Sequence, residues 1–139
     1  AFVPDADHEQ LLSTVRELGV RVYVDPDRCQ TFPMAGYFNG QTMGLCTRYN
    51  RDQADYHDTI RHEAIHIAQR CHAIKLGITD RLTPISQTAV AYGYLNHNDQ
   101  ISRYPVASQD IEAEAWYAAG AFTAYQVDAI VRSHCSFAF

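Results

Sequence analysis

The residues that could do chemistry lie near the middle of the chain. His62-Glu63-Ala64-Ile65-His66 sets two imidazoles four residues apart. On a helix that spacing is one turn, so both rings share a face and can reach one metal ion. Glu63 sits beside that face, where a carboxylate can take a proton from a metal-activated water without being a ligand. Composition alone would give this pattern in about 1% of such chains. The competing reading, two histidines on a solvated face, does not suit the surroundings. Ile60, Ala64, Ile65, Ile67 and Ala68 mark a helix that belongs in a core. A catalytic zinc takes three protein ligands and keeps a fourth position for water, so a third ligand is expected elsewhere in the chain.

The elements that must position these residues can be read from periodicity and punctuation. Residues 5–18 place Leu11, Leu12, Val15 and Leu18 on one face and end at Gly19, which predicts an amphipathic helix. Residues 20–24 alternate with β-branched side chains and close on Asp25-Pro26, which predicts a strand. Residues 35–47 read as a hairpin around Asn39-Gly40, a dipeptide suited to a type I′ turn. From about residue 52 to Leu76 no Gly or Pro intervenes and Gly77 follows, which predicts a long helix carrying the histidines. A further helix is expected over 84–96. A last one is expected over 108–132, opened by Ser108 as N-cap and by acids in its first turn. The fold class expected is α+β: a small, mostly antiparallel sheet of about three strands packed on the histidine helix and a C-terminal glutamate helix.

Two places could supply the third ligand. His62, His66 and His72 have the histidine spacing of the metzincin signature HExxHxxGxxH. Here Gln69 replaces the glycine that ends the helix, and both methionines, Met34 and Met43, precede the motif instead of forming a downstream Met turn. In an unbroken helix His72 lies more than about 90° from the metal-facing side, so it reads as a bystander. The other place is Asp110-Ile111-Glu112-Ala113-Glu114-Ala115-Trp116-Tyr117-Ala118-Ala119. With this segment the sequence resembles the gluzincin class of zinc peptidases, which pairs HExxH on one helix with a glutamate on a later helix, often in an E-x-E-A context. Gln69 and Tyr104-Pro105 match further parts of that pattern. The resemblance covers roughly residues 55–125, and its specific part is the HExxH core.

The resemblance implies a zincin-like minimal domain in which Zn²⁺ is held by His62, His66 and Glu114 and Glu63 is the general base of peptide hydrolysis. By position Glu114 matches the liganding glutamate. Asp110, one turn earlier on the same face, is the alternative ligand or a partner for a histidine, with His72 the other alternative; Glu112 is expected to point elsewhere. The resemblance also implies a sheet edge beside the metal to which an extended peptide could add, supplied by the Asn39-Gly40 hairpin. Tyr94, His97 and Tyr104 are candidate donors to a developing oxyanion, and none stands out. His8, His57, His97 and His134 have no companion pattern and read as surface residues.

Composition bounds the rest. The 139 residues are 47% hydrophobic and 19% charged, enough for one domain with a real core, and residues 1–139 are read as one. Eleven basic residues against sixteen acidic ones give a net charge of −5 without a basic run, which argues against a nucleic-acid groove. No apolar run approaches the ~20 residues of a membrane span. The first residues show no leader pattern, so a soluble protein, cytoplasmic or virion-associated, is expected. Cys29, Cys46, Cys71 and Cys135 lack the tight pairs of a four-thiolate zinc site. Buried free thiols are the favoured reading; disulfides, with Cys29–Cys46 and Cys71–Cys135 as the suggested pairs, require an oxidising compartment. The partner expected is a peptide or protein substrate. An alternative keeps the peptidase fold in a zinc-bearing assembly protein, such as a virion component, with a protein assembly partner.

Overall fold

A computed structural model describes residues 2–77, 99 and 101–135. The chain opens with helix α1 (Ala6–Glu17), capped by the Asp5 side chain, which accepts from His8 N. Strand β1 (Arg21–Val24) and the short helix α2 (Arg28–Thr31) follow. Strands β2 (Gly36–Phe38) and β3 (Thr42–Leu45) come next, and then a 3₁₀ turn over Thr47–Tyr49. Helix α3 (Gln53–Leu76) runs from an Asp52 cap to Gly77, whose φ of 68° gives the left-handed stop expected of glycine. Helices α4 (Val106–Ala121) and α5 (Ala124–His134) complete the described fold. The helix expected over 84–96 lies outside the described residues.

The protein is α+β with a three-stranded sheet in the order β1-β3-β2. The sheet is mixed and not mostly antiparallel: β3 pairs parallel with β1, Arg21 opposite Thr42, and antiparallel with β2, Phe38 opposite Met43. The turn also differs from the type I′ expectation. Asn39 N bonds Thr42 O, and of the two residues between them only Gly40 has positive φ, at 96°. This is the pattern of a type II′ turn, with glycine first. Asn39 serves through its side chain instead, its Oδ1 accepting from Gln41 N and Thr42 N.

The single helix expected over 108–132 is two. Thr123 begins a capping box with Gln126, each side chain bonding the other's backbone N–H. That device starts a new helix, and Val127 and Val131 on α5 turn inward against Leu11 and Val15 of α1. Helix α3 forms the middle of the core, with Ile60, Ala64, Ile65, Ile67 and Ala68 fully buried. Where α4 crosses it, Ala113, Ala115, Ala118 and Ala119 are buried, and these small side chains let the two backbones come close.

The sheet passes over α3 at a glycine. A Cβ on Gly36 would lie 2.6 Å from Thr59 Cγ2 and 3.4 Å from Glu63 Cγ, so any other residue here would push β2 off the helix. Thr59 is itself fixed by Asn50, whose Oδ1 accepts from its hydroxyl at 2.7 Å while its Nδ2 donates to Cys46 O at 2.8 Å.

All four cysteines are paired, as Cys29–Cys46 and Cys71–Cys135, so the favoured free-thiol reading is overturned while the suggested pairing stands. The first bridge ties α2 to the end of β3, and the second ties α3 to the end of α5. Their sequence separations are 17 and 64 residues. Loop-closure entropy then assigns about 3 kcal/mol to the first and about 4 kcal/mol to the second. Urea unfolding is expected to show a larger loss for Cys71→Ala/Cys135→Ala than for Cys29→Ala/Cys46→Ala, and the reverse order would contradict this assignment.

Candidate metal centre

His62 and His66 project from one face of α3, and their Nε2 atoms lie 3.2 Å apart. Glu112 meets them from α4, its Oε1 2.8 Å from His66 Nε2 and 3.4 Å from His62 Nε2. Glu63 belongs to the same cluster, since one ligand atom each of His62, Glu63 and His66 lies within 4.8 Å of the others. Three donor atoms held about 2.1 Å from a tetrahedral zinc are separated by about 3.4 Å. The triangle of 3.2, 2.8 and 3.4 Å is close to that size. Two imidazoles and one carboxylate are also a donor set that zinc accepts, so these residues fit the ion.

The carboxylate opposite the histidines is therefore Glu112 and not Glu114, a correction to the expected arrangement. Glu114 is fully buried, and its Oε1 accepts from Gln69 Nε2 at 3.1 Å. Gln69 Nε2 also donates to Ile111 O at 3.0 Å, which turns its Oε1 to accept from His66 Nδ1 at 2.8 Å. Glu114 thus acts on the site at one remove. It orients the Gln69 amide, which holds the His66 ring with Nε2 toward Glu112. Asp110 is exposed and does not line the cleft around the histidines. His72 lies on the uninterrupted part of α3, with its ring 5.1 Å from that of His134. Of the three candidate oxyanion donors, Tyr104 lines the cleft beside His62 and Glu63, while Tyr94 and His97 lie outside the described residues.

The electrostatics follow from burial and contact. Burial disfavours charge on Glu112, but its hydrogen bonds to His62 and His66 prevail and hold it well below the usual carboxylate range. Burial opposes the charged form of His66, yet the Glu112 contact outweighs it and raises the ring to about 9. Glu63 is pushed up, chiefly by burial, with the nearby histidines opposing. Trp116 packs against His62 in a T-shaped pair, with ring centroids 5.4 Å apart.

A second group, Asp5, His8 and His57, also brings its ligand atoms within 4.8 Å of one another. Its ring nitrogens are mostly engaged within the protein. His8 Nδ1 lies 2.7 Å from Asp5 Oδ1, and His8 Nε2 faces the Arg61 guanidinium at 2.9 Å. His57 Nε2 meets Gln53 Nε2 at 2.8 Å. A guanidinium aimed at the His8 ring repels a cation, and the group reads as an anchor for the start of α1. His8 is buried and not the surface residue expected.

The cleft at the histidines is about 590 Å³, with Tyr37, Phe38 and Asn39 on the sheet side and Ser108 and Ile111 on α4. A second cavity of about 590 Å³ shares Met34, Gly36, His62, Glu63 and Tyr104 with it. Both cavities thus border His62 and Glu63, and the first also borders His66 and Glu112.

The structure thus defines an α+β protein whose His/Glu cluster could hold a metal ion. Comparison with protein-family models, curated proteins and solved structures finds no match to the chain. The two glutamates separate in a zinc titration against a chromophoric chelator. Glu112→Ala is expected to lose tight binding and Glu114→Gln to weaken it about 10- to 100-fold. His72→Ala is expected to leave it unchanged. Tight binding that survives Glu112→Ala would refute this ligand set.

Proposed function

We propose that the protein is a zinc-dependent peptidase of gluzincin type, with the metal held by His62, His66 and Glu112. The observation that carries this reading is the triangle of donor atoms with Glu63 beside it, all lining one cleft. Zinc in such a site supplies Lewis acidity, which activates water and polarises a carbonyl. Glu63 reaches the same space from α3. It takes the proton of the attacking water and returns it to the leaving amine as the peptide bond breaks. Tyr104 offers its phenol to the carbonyl oxygen as negative charge develops there. Its hydroxyl stays protonated, because burial raises its pKa further.

The groove supports a peptide as substrate. Among the described residues it is lined by β2 on one side and α4 on the other. An extended chain can lie in it with its scissile carbonyl at the histidines. The paired cysteines support maturation in an oxidising compartment. Among the described residues no helix is long and apolar enough to cross a membrane.

The decisive variant is Glu63→Gln. It removes the proton acceptor with little change of shape, so zinc content should match the wild type while peptide turnover falls by about 10²- to 10⁴-fold. Mass-spectrometric detection of cleaved peptides measures the second quantity and elemental analysis the first. Turnover undiminished in Glu63→Gln would remove the mechanism.

A further inference from the structure

The anchor at the start of α1 has a property that the proposed hydrolysis does not use: its hydrogen bonds fix the protonation state of two histidines. Gln53 sets its amide on the backbone of residue 3, its Oε1 accepting from Val3 N at 3.3 Å and its Nε2 donating to Val3 O. The Gln53 nitrogen that faces His57 Nε2 at 2.8 Å is therefore a donor. Asp5 N donates to the same ring nitrogen at 3.2 Å. His57 Nε2 meets both donors through its lone pair, so the ring is neutral.

His8 is held in the same way. Its Nδ1 donates to Asp5 Oδ1 at 2.7 Å, because a carboxylate only accepts. Its Nε2 lies 2.9 Å from Arg61 Nη1, and a guanidinium only donates. Arg61 is itself fixed, since its Nε donates to Ala119 O at 2.8 Å and its Nη2 lies 3.5 Å from Asp58 Oδ1. The two imidazoles stack face to face, with centroids 3.8 Å apart and planes 7° from parallel.

A proton on either Nε2 would set N–H against N–H, and protons on both would stack two cations. Besides each other, the charged groups facing the pair are Asp5 at the cap of α1 and Arg61 on α3. Asp5 favours a protonated ring, but it is more than half exposed, which weakens its pull. Arg61 opposes one. Burial first, and then His8, hold His57 below its ordinary value of 6.5. The unfolded chain thus binds more protons here than the native one. The stability of the contact is complete above about pH 6.5 and is lost as the pH falls below it.

We infer that His8 and His57 form a latch that holds residues 2–8 on α3 at neutral pH and releases them in mildly acidic solution. Release lifts Phe2 from Tyr56, whose ring centroid lies 5.4 Å away, and exposes apolar surface beside the start of α3. Asp5, His8, His57 and Arg61 line neither cavity beside the metal-binding histidines, so the latch works whether or not peptides are cleaved there.

The test is amide hydrogen exchange of the disulfide-intact protein, corrected for the intrinsic pH dependence of exchange. Protection at Asp5, His8 and Glu9 should fall at least about tenfold between about pH 7.5 and about pH 5. Ile65 and Ile67, in the middle of α3, should keep theirs. Glutamine offers an acceptor oxygen and does not titrate, so in His8→Gln/His57→Gln the same amides should show no dependence on pH. NMR shifts of the ring nitrogens in the wild type give a readout that needs no variant. Both rings should take up their protons over the interval in which Asp5 is released. Protection that stays constant in the wild type, a fall that persists in the double variant, or protonated rings with Asp5 still protected would overturn the latch.

Discussion

The arrangement depends on one carboxylate placed between two imidazoles across a helix–helix contact. Glu112 is mostly out of water and cannot remain charged without compensation. His62 and His66 supply that compensation, and a divalent cation in the same triangle would supply more. The contact forms because the facing surfaces of α3 and α4 are built from alanine. Ala64 and Ala68 on one side and Ala115 and Ala118 on the other are fully buried. Larger residues there would push the helices apart and take Glu112 out of range of the rings.

The supporting shell has the same economy. Gln69 joins His66 to Glu114 and to the backbone of α4, so one amide fixes both a ring and the approach of the neighbouring helix. Gly36 lets the sheet lie directly on Thr59 and Glu63, which makes β2 a wall of the groove. The Cys71–Cys135 bridge holds the end of α3 to the end of α5, just past Arg70. His62, Glu63 and His66 thus sit on a long helix restrained at several points, as a site that must keep sub-ångström geometry requires.

Much of this was legible in the sequence because its signals are local. Asp52, Gly77 and an uninterrupted helical pattern define α3, and the HExxH spacing then places the histidines and Glu63. The rotation of α4 about its axis was harder to read. Glu112 and Glu114 are two residues apart, about 200° around a helix, and a motif match chose between them. The alanine stripe does not separate them either: three or four residues back, Ala115 leads to Glu112 and Ala118 leads to Glu114. The capping box at Thr123 and Gln126 was available and breaks the expected 108–132 helix in two. The parallel pairing of β1 with β3 was not available, since it depends on how separate segments meet in space. For the cysteines the suggested pairs were right, but whether the thiols pair at all depends on spatial proximity, and the free-thiol reading was favoured.

The central claim is that His62, His66 and Glu112 together hold zinc, and anomalous diffraction at the zinc edge tests it most directly. The account predicts a single strong peak within about 2.0–2.2 Å of His62 Nε2, His66 Nε2 and a Glu112 oxygen. A peak bonded to Glu114 or His72 instead of Glu112, or no peak in crystals grown with zinc, would contradict it.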